Sequence, residues 1–247
     1  MVRAVLFDLW GTLIIDDPDS SERRRLQRID DARRALADLG FDYGPVDIDA
    51  ALLAAGTELE RIHRSERDIS ARGRTVLCLR HIDPALPDRI PDDAWPALDA
   101  ALLTQARAHP PLVIEGAREV LETVRTAGLR TGLISNAGIT PGFVLRDVLA
   151  GFGLLPLLER TVFSDEVELS KPAEAIFAHA LDELGVGPGE AVFVGDHPHL
   201  DVFGARRAGL WVAQVGDMPP DGAGPHARIP SVAALPEVLR ELAPTAG

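Results

Sequence analysis

From Pro111 onward, short apolar runs alternate with helically spaced segments through brief connections, and no other feature of the chain constrains its fold as strongly. The spacing predicts a helix over Glu115 to Arg125 that stops at Gly128, then a strand over Leu129 to Ser135. A helix is expected near Phe143 to Leu149, a strand over Arg160 to Phe163, and a helix from Ala173 to Leu184. Ala191 to Val194 reads as a strand, Val202 to Arg207 as a helical turn or more, Trp211 to Val215 as a last strand, and Leu235 to Leu242 as a closing helix. Parallel strands need crossover helices, so the alternation implies an α/β fold with a Rossmann-like parallel sheet covered on both faces.

Val2 to Leu9 is a short, mostly apolar run bounded by Gly11, and it reads as a buried strand with Asp8 at its carboxyl end. Between Asp16 and about Pro110 the texture changes to charged, Ala- and Leu-rich helical segments punctuated by Gly40, Gly44-Pro45, Pro84, Pro87, Pro91 and Pro110-Pro111. The first strand belongs by character with the later ones. The helical stretch is therefore expected to be an insertion, with a core domain at 1–15 and 111–247 and a helical cap domain at 16–110. No repeat is present, the Pro219 to Pro230 stretch reads as a surface loop, and the tail after Ala243 is expected to fray.

Composition narrows the function classes. The 25 Lys and Arg against 38 Asp and Glu give a net charge of -13, which repels nucleic-acid backbones and anionic lipid, so neither is an expected partner. A single cysteine, Cys78, cannot close an intrachain disulfide, and no run approaches the roughly 18 apolar residues of a spanning helix. The amino terminus also lacks the basic, apolar and small-residue pattern of a secretory leader, so a reducing cytoplasmic location is expected. Lys171 is the only lysine; every other basic side chain apart from histidine is arginine.

Ligands of open parallel sheets collect beyond the carboxyl ends of the strands, where four polar clusters fall here. These are Asp8-Leu9-Trp10-Gly11-Thr12, Ser135-Asn136, Lys171-Pro172, and Gly195-Asp196-His197-Pro198-His199-Leu200-Asp201. Singly, each has an ordinary structural use as a loop cap, a turn or a helix start. Together and in this order they resemble the motifs of the haloacid dehalogenase superfamily, mostly phosphoryl-transfer enzymes with an aspartate nucleophile. The likeness covers essentially the whole chain, and Phe163 to Val167 and Asp201 to Ala205 are also similar to family members.

The resemblance implies that Asp8 attacks phosphorus and forms an acyl-phosphate, splitting one difficult displacement into two easier ones. A carboxylate approaching a phosphate dianion is repelled, so the site must supply positive charge. Mg2+ would supply most of it, held by the carboxylates of Asp8 and Asp196 and the main-chain carbonyl of Trp10, with Asp201 behind them orienting waters or Lys171. Thr12, Ser135 and Asn136 would donate hydrogen bonds to the phosphoryl oxygens of a small phosphate ester, and Lys171 would sit against Asp8 and the phosphate. The solitary lysine falls at the position where the family places its catalytic cation.

One position departs from the family pattern. Most phosphatases of the superfamily carry a second aspartate two residues after the nucleophile, for protonating the leaving group and then activating water; this chain has Trp10. An indole N–H is only a donor and cannot fill either role. Three readings follow. The chain is a magnesium-dependent phosphatase lacking that help, with His197 or His199 as substitute proton carriers; or it is a metal-independent 2-haloacid dehalogenase, in whose family an aromatic residue stands here and whose halide needs no acid; or it is a decayed binding or regulatory module. The paired Asp196 and Asp201 favour the first, and Trp10 next to the nucleophile suits substrate contact in either enzyme. Arg23, Arg24, Arg25, Arg28, Arg33 and Arg34 are expected to form a solvated face paired with Asp30, Asp31 and Asp38.

Overall fold

The computed structural model describes residues 1–242, so the expected fraying after Ala243 lies outside the described residues. The chain opens with β1 (Ala4–Phe7), a two-residue strand β2 (Ile14–Ile15), and four helices: α1 (Pro18–Asp38), α2 (Pro45–His63), α3 (Ala71–Ile82) and α4 (Trp95–Leu103). A second two-residue strand, β3 (Leu112–Val113), pairs antiparallel with β2 where the helical stretch leaves and rejoins the rest. Then come α5 (Ala117–Thr126), β4 (Arg130–Ser135), α6 (Gly142–Gly151), β5 (Arg160–Phe163), a single turn α7 (Ser164–Val167) and α8 (Glu174–Leu184). The chain finishes through β6 (Ala191–Gly195), α9 (Gly204–Arg207), β7 (Trp211–Val215), β8 (Ala227–Ile229) and α10 (Leu235–Leu242).

Six strands form one parallel sheet in the order β5-β4-β1-β6-β7-β8. The central strand explains the layers. Val5 and Phe7 point into one core with Val120, Leu121 and Val194, while Ala4 and Leu6 point into another with Ile176, Phe177 and Phe193. A third cluster, including Ile29, Leu36, Ile48, Leu79 and Leu98, holds α1–α4 together. Burying each such side chain contributes about 1.5–3 kcal/mol relative to leaving it in water. Local signals start the helices: Pro18 opens α1 while the Asp17 carboxylate accepts from Ser20 N–H at 2.9 Å, and Ser70 caps α3 by accepting from Gly73 N–H.

The structure differs from the sequence reading at short elements. Pro219 to Pro230 is not all surface loop, because Ala227–Ile229 adds a sixth strand beyond β7, so Trp211–Val215 is not the last. The helical segment expected from Val202 begins earlier, as a π-helical turn over Pro198–Phe203. Asp8 lies one residue past β1, where the chain leaves the ladder while its N–H still donates to Val194 O at 2.8 Å.

Candidate active site

β1, β4 and β6 are neighbours, with Phe7 in register with both Leu133 and Val194, so their carboxyl ends bring Asp8, Ser135-Asn136 and Asp196 to one edge of the sheet. Lys171 arrives from the loop between α7 and α8. Its Nζ donates to Asp8 Oδ1 at 2.5 Å and to Asp201 Oδ1 at 2.7 Å, with the lysine 2% exposed. Asp201 Oδ2 accepts from His197 N–H at 3.0 Å, so both of its oxygens are engaged. Asp8 Oδ2 and both oxygens of Asp196 accept no hydrogen bond from another of the described residues.

Two glycines make this convergence possible. A Cβ on Gly195 would sit 2.5 Å from Asp201 Cγ, and Gly11 has φ +77°, a conformation that side chains rarely adopt. Gly195 thus lets Asp201 fold back against its own loop, and Gly11 leaves room for the Asp196 carboxylate.

Electrostatics follow from the count of charges. Three carboxylates, Asp8, Asp196 and Asp201, offer oxygens that all lie within 4.8 Å of one another, and they share one ammonium. Burial, the strongest influence, pushes the Asp8 carboxyl up to about 7 against the opposing pull of Lys171, and the charges of Asp201 and Asp196 push the same way. Burial and Asp201 raise Asp196 as well. Burial opposes the charge on Lys171, but Asp201 and Asp8 together outweigh it and raise the ammonium above its ordinary range. The excess negative charge and the free oxygens of Asp8 and Asp196 suit a hard divalent cation that takes oxygen ligands, so the donor set fits Mg2+.

The hydroxyl groups nearby are underused. Thr12 Oγ1 is buried with no hydrogen-bond partner among the described residues, and buried Ser135 Oγ makes only a long contact of 3.4 Å to Asn136 O. Asn136 braces the lysine loop: its Nδ2 donates to Lys171 O at 3.0 Å while its Oδ1 accepts from Lys171 N–H at 2.8 Å. These two bonds use one hydrogen of the amide and leave its second N–H for another acceptor. The Lys171–Pro172 peptide is cis.

Trp10 is half-buried against the sheet core and lines a cavity of about 420 Å³ with Asn136, Ile139, Leu52 and Arg28. A second cavity, of about 560 Å³, shares Asn136 and Gly138 and is lined by His63, His197 and His199. A larger hollow of about 650 Å³ between α1 and α4 is lined by none of Asp8, Ser135, Lys171, Asp196 and Asp201.

The loop histidines have structural partners. His197 Nδ1 accepts from the N–H groups of His199 and Leu200, both at 3.2 Å, which leaves the neutral ring's hydrogen on Nε2. His199 Nδ1 pairs with Asp221 Oδ2 at 2.7 Å on the surface, its ring stacked on Phe203. Of the arginines in α1, Arg33 and Arg34 pair with Asp30 and Asp31 as expected. Arg24, however, is buried on Asp16 and His109 O, Arg25 reaches Asp49, and Arg28 Nε donates to Leu102 O. Burial pushes the Cys78 thiol up to about 11, so it is not a nucleophile at neutral pH.

The sequence reading missed one cluster. Arg74, wholly buried on α3, binds both oxygens of Asp68 at 2.9 Å and reaches Ala137 O and Gly138 O, immediately after Asn136. Among the many arginines and aspartates between residues 16 and 110 nothing local marks this pair.

Residues 2–209 match the family model of a haloacid dehalogenase-like hydrolase. The chain belongs to that family and is a hydrolase of the haloacid dehalogenase type. It is 29% identical to a glyceraldehyde 3-phosphate phosphatase of Methanopyrus kandleri over 98% of this chain and 99% of that protein. It is 31% identical to a plasmid-encoded phosphoglycolate phosphatase of Cupriavidus necator over 98% of this chain and 96% of that one. Its fold is shared with a 2-haloacid dehalogenase from Pseudomonas syringae pv. Tomato DC3000, at TM-score 0.70 and 24% identity over 98% of this chain and 100% of the other. Among the described residues no helix is long and apolar enough to cross a membrane.

Proposed function

We propose that the chain is a magnesium-dependent phosphatase acting on a small phosphorylated metabolite through an aspartyl-phosphate at Asp8. The observation that carries this reading is the set of three carboxylates sharing the one ammonium of Lys171, with oxygens of Asp8 and Asp196 left free. Such an excess of negative charge suits a cation-dependent site for phosphate and is superfluous for releasing a halide. The full-length relatives named for glyceraldehyde 3-phosphate and phosphoglycolate support a small phosphate ester as substrate.

In this mechanism an oxygen of Asp8 attacks phosphorus as the ester P–O bond breaks, and water then attacks the same phosphorus, freeing Asp8 and inorganic phosphate. Mg2+ held by Asp8, Asp196 and the main-chain carbonyl of Trp10 would supply the charge that lets the two anions meet. Lys171 offsets charge at Asp8, and Asp201 holds the ammonium in place. The hydroxyls of Thr12 and Ser135 donate to the phosphoryl oxygens. Trp10 contributes an apolar face to the substrate cavity and no proton, so the site favours leaving groups stable as anions. Helices α1–α4 act as the cap of residues 16–110, closing over the core formed by 1–15 and 111–247.

The test is turnover of an activated aryl phosphate with and without Mg2+. Hydrolysis that requires the metal and disappears in Asp8→Asn is the expected result. Halide release from a 2-haloacid, indifferent to chelator, would replace this reading with a dehalogenase. A folded protein that binds Mg2+ and turns over neither would leave a binding module.

A further inference from the structure

Lys171 reaches Asp8 from a loop that has no regular structure of its own, and two backbone stretches hold that loop. On one side Asn136 clamps the lysine's N–H and C=O. On the other, residues 168–170 form a short antiparallel bridge with residues 66–68: Asp68 N–H donates to Glu168 O at 3.1 Å and Ser170 N–H to Glu66 O at 3.3 Å. Ser170 Oγ adds a bond to His63 O at 3.1 Å. Glu66 and Glu168 have φ of +60° and +54°, the left-handed region that non-glycine residues enter only when their surroundings impose it.

Both stretches are fastened to the same helical segment. Asp68 belongs to the bridge, and Arg74 donates to both Asp68 oxygens, to Gly138 O at 2.6 Å and to Ala137 O at 2.8 Å. A wholly buried ion pair is an inefficient way to gain stability, because desolvation offsets most of the attraction and apolar residues of similar size do as well. Its distinctive property is directional: a guanidinium fixes several oxygens in one plane at once.

We infer that Arg74 and Asp68 are positioning residues that hold the Lys171 ammonium between Asp8 and Asp201, making the cap segment part of the catalytic scaffold as well as a cover. This rests on the reading of Asp8 as nucleophile, but the solitary lysine allows a test that does not depend on turnover. Protein labelled with 15N-lysine gives one lysine backbone amide and one ammonium signal, both from Lys171. In Arg74→Met the amide signal is expected to shift and its hydrogen exchange to accelerate about tenfold or more. With an aryl phosphate, kcat is expected to fall about a hundredfold, the scale set by a misplacement near 1 Å, while KM changes less than about threefold. Arg72→Met on the same helix, whose exposed side chain pairs with Asp99 over the Trp95 ring, should move neither. Unchanged lysine signals in folded Arg74→Met, unchanged kcat, or equal losses in Arg72→Met would overturn the inference. If Arg74→Met does not fold, Asp68→Asn, which keeps the side chain's size, is judged by the same criteria. If wild-type protein hydrolyses no phosphate ester, the proposed function fails, and the lysine signals alone decide whether the pair positions the loop.

Discussion

A methyl group on Gly11 would come within 2.4 Å of Asp196 Oδ2, so the carboxylate of the last acidic motif rests against bare backbone in the loop after the nucleophile. Gly11→Ala should therefore displace the Asp196 carboxylate, on top of about 1 kcal/mol or more of strain from the positive φ. The expected outcome is a folded protein with Mg2+ affinity weakened at least about tenfold, read by calorimetric titration. Undiminished affinity would mean that Asp196 is not a ligand.

Trp10→Asp restores the carboxylate missing next to the nucleophile. Its effect should depend on the leaving group: a gain of about a hundred- to ten-thousandfold in kcat/KM for an alkyl phosphate, whose departing oxygen needs a proton. Little gain is expected for a nitrophenyl phosphate, whose leaving group does not. Equal or lower rates on the alkyl ester would count against the account of what Trp10 removes.

Lys171→Met leaves three converging carboxylates with no cation. Breaking a buried pair from one side typically costs about 3–5 kcal/mol, so the urea midpoint should fall by a corresponding amount when metal is absent. Lys171→Arg should not restore activity, because a planar fork cannot occupy the small space between Asp8 and Asp201 that a single Nζ fills. An arginine variant as active as wild type would show that only charge matters.

Acid stability carries the signature of Asp68. Burial pushes this carboxyl up, but His63, 3.0 Å away at Nε2, Arg74 and the Ser164 hydroxyl together overcome it and hold it below its ordinary 3.8. A depressed carboxyl contributes stability that is complete above the unfolded pKa and lost as pH falls through the folded one, here below about pH 4. Thermal melts between pH 7 and pH 3 should therefore show a shallower acid decline in Asp68→Asn than in wild type. Parallel curves would contradict this.

Much of this is legible in the amino-acid sequence. Asp8, Ser135 and Asp196 stand where apolar runs end, and a parallel sheet gathers such ends whatever the cores contain. Lys171 was marked by being the only lysine. Strands β2, β3 and β8 were not legible, because two or three residues display no period. The reach of Arg74 to a carbonyl 64 residues away was hidden for a different reason: it is fixed by how α3 lies on the β4 loop, and no local pattern records that. The bracing of the Lys171 backbone by Asn136 is likewise absent from any local pattern, because it exists only once the two loops meet.

The sheet's outer margins bear on how the protein behaves at high concentration. β8 offers three residues with exposed Arg228 at their centre and Pro230 just beyond, while β5 at the opposite margin begins with exposed Arg160. Short rims bearing cations present few open amide and carbonyl groups to a neighbouring molecule, and edge-to-edge fibre growth is discouraged at both ends. The enzyme should stay dispersed even though the central strands β1 and β6 carry no polar side chain.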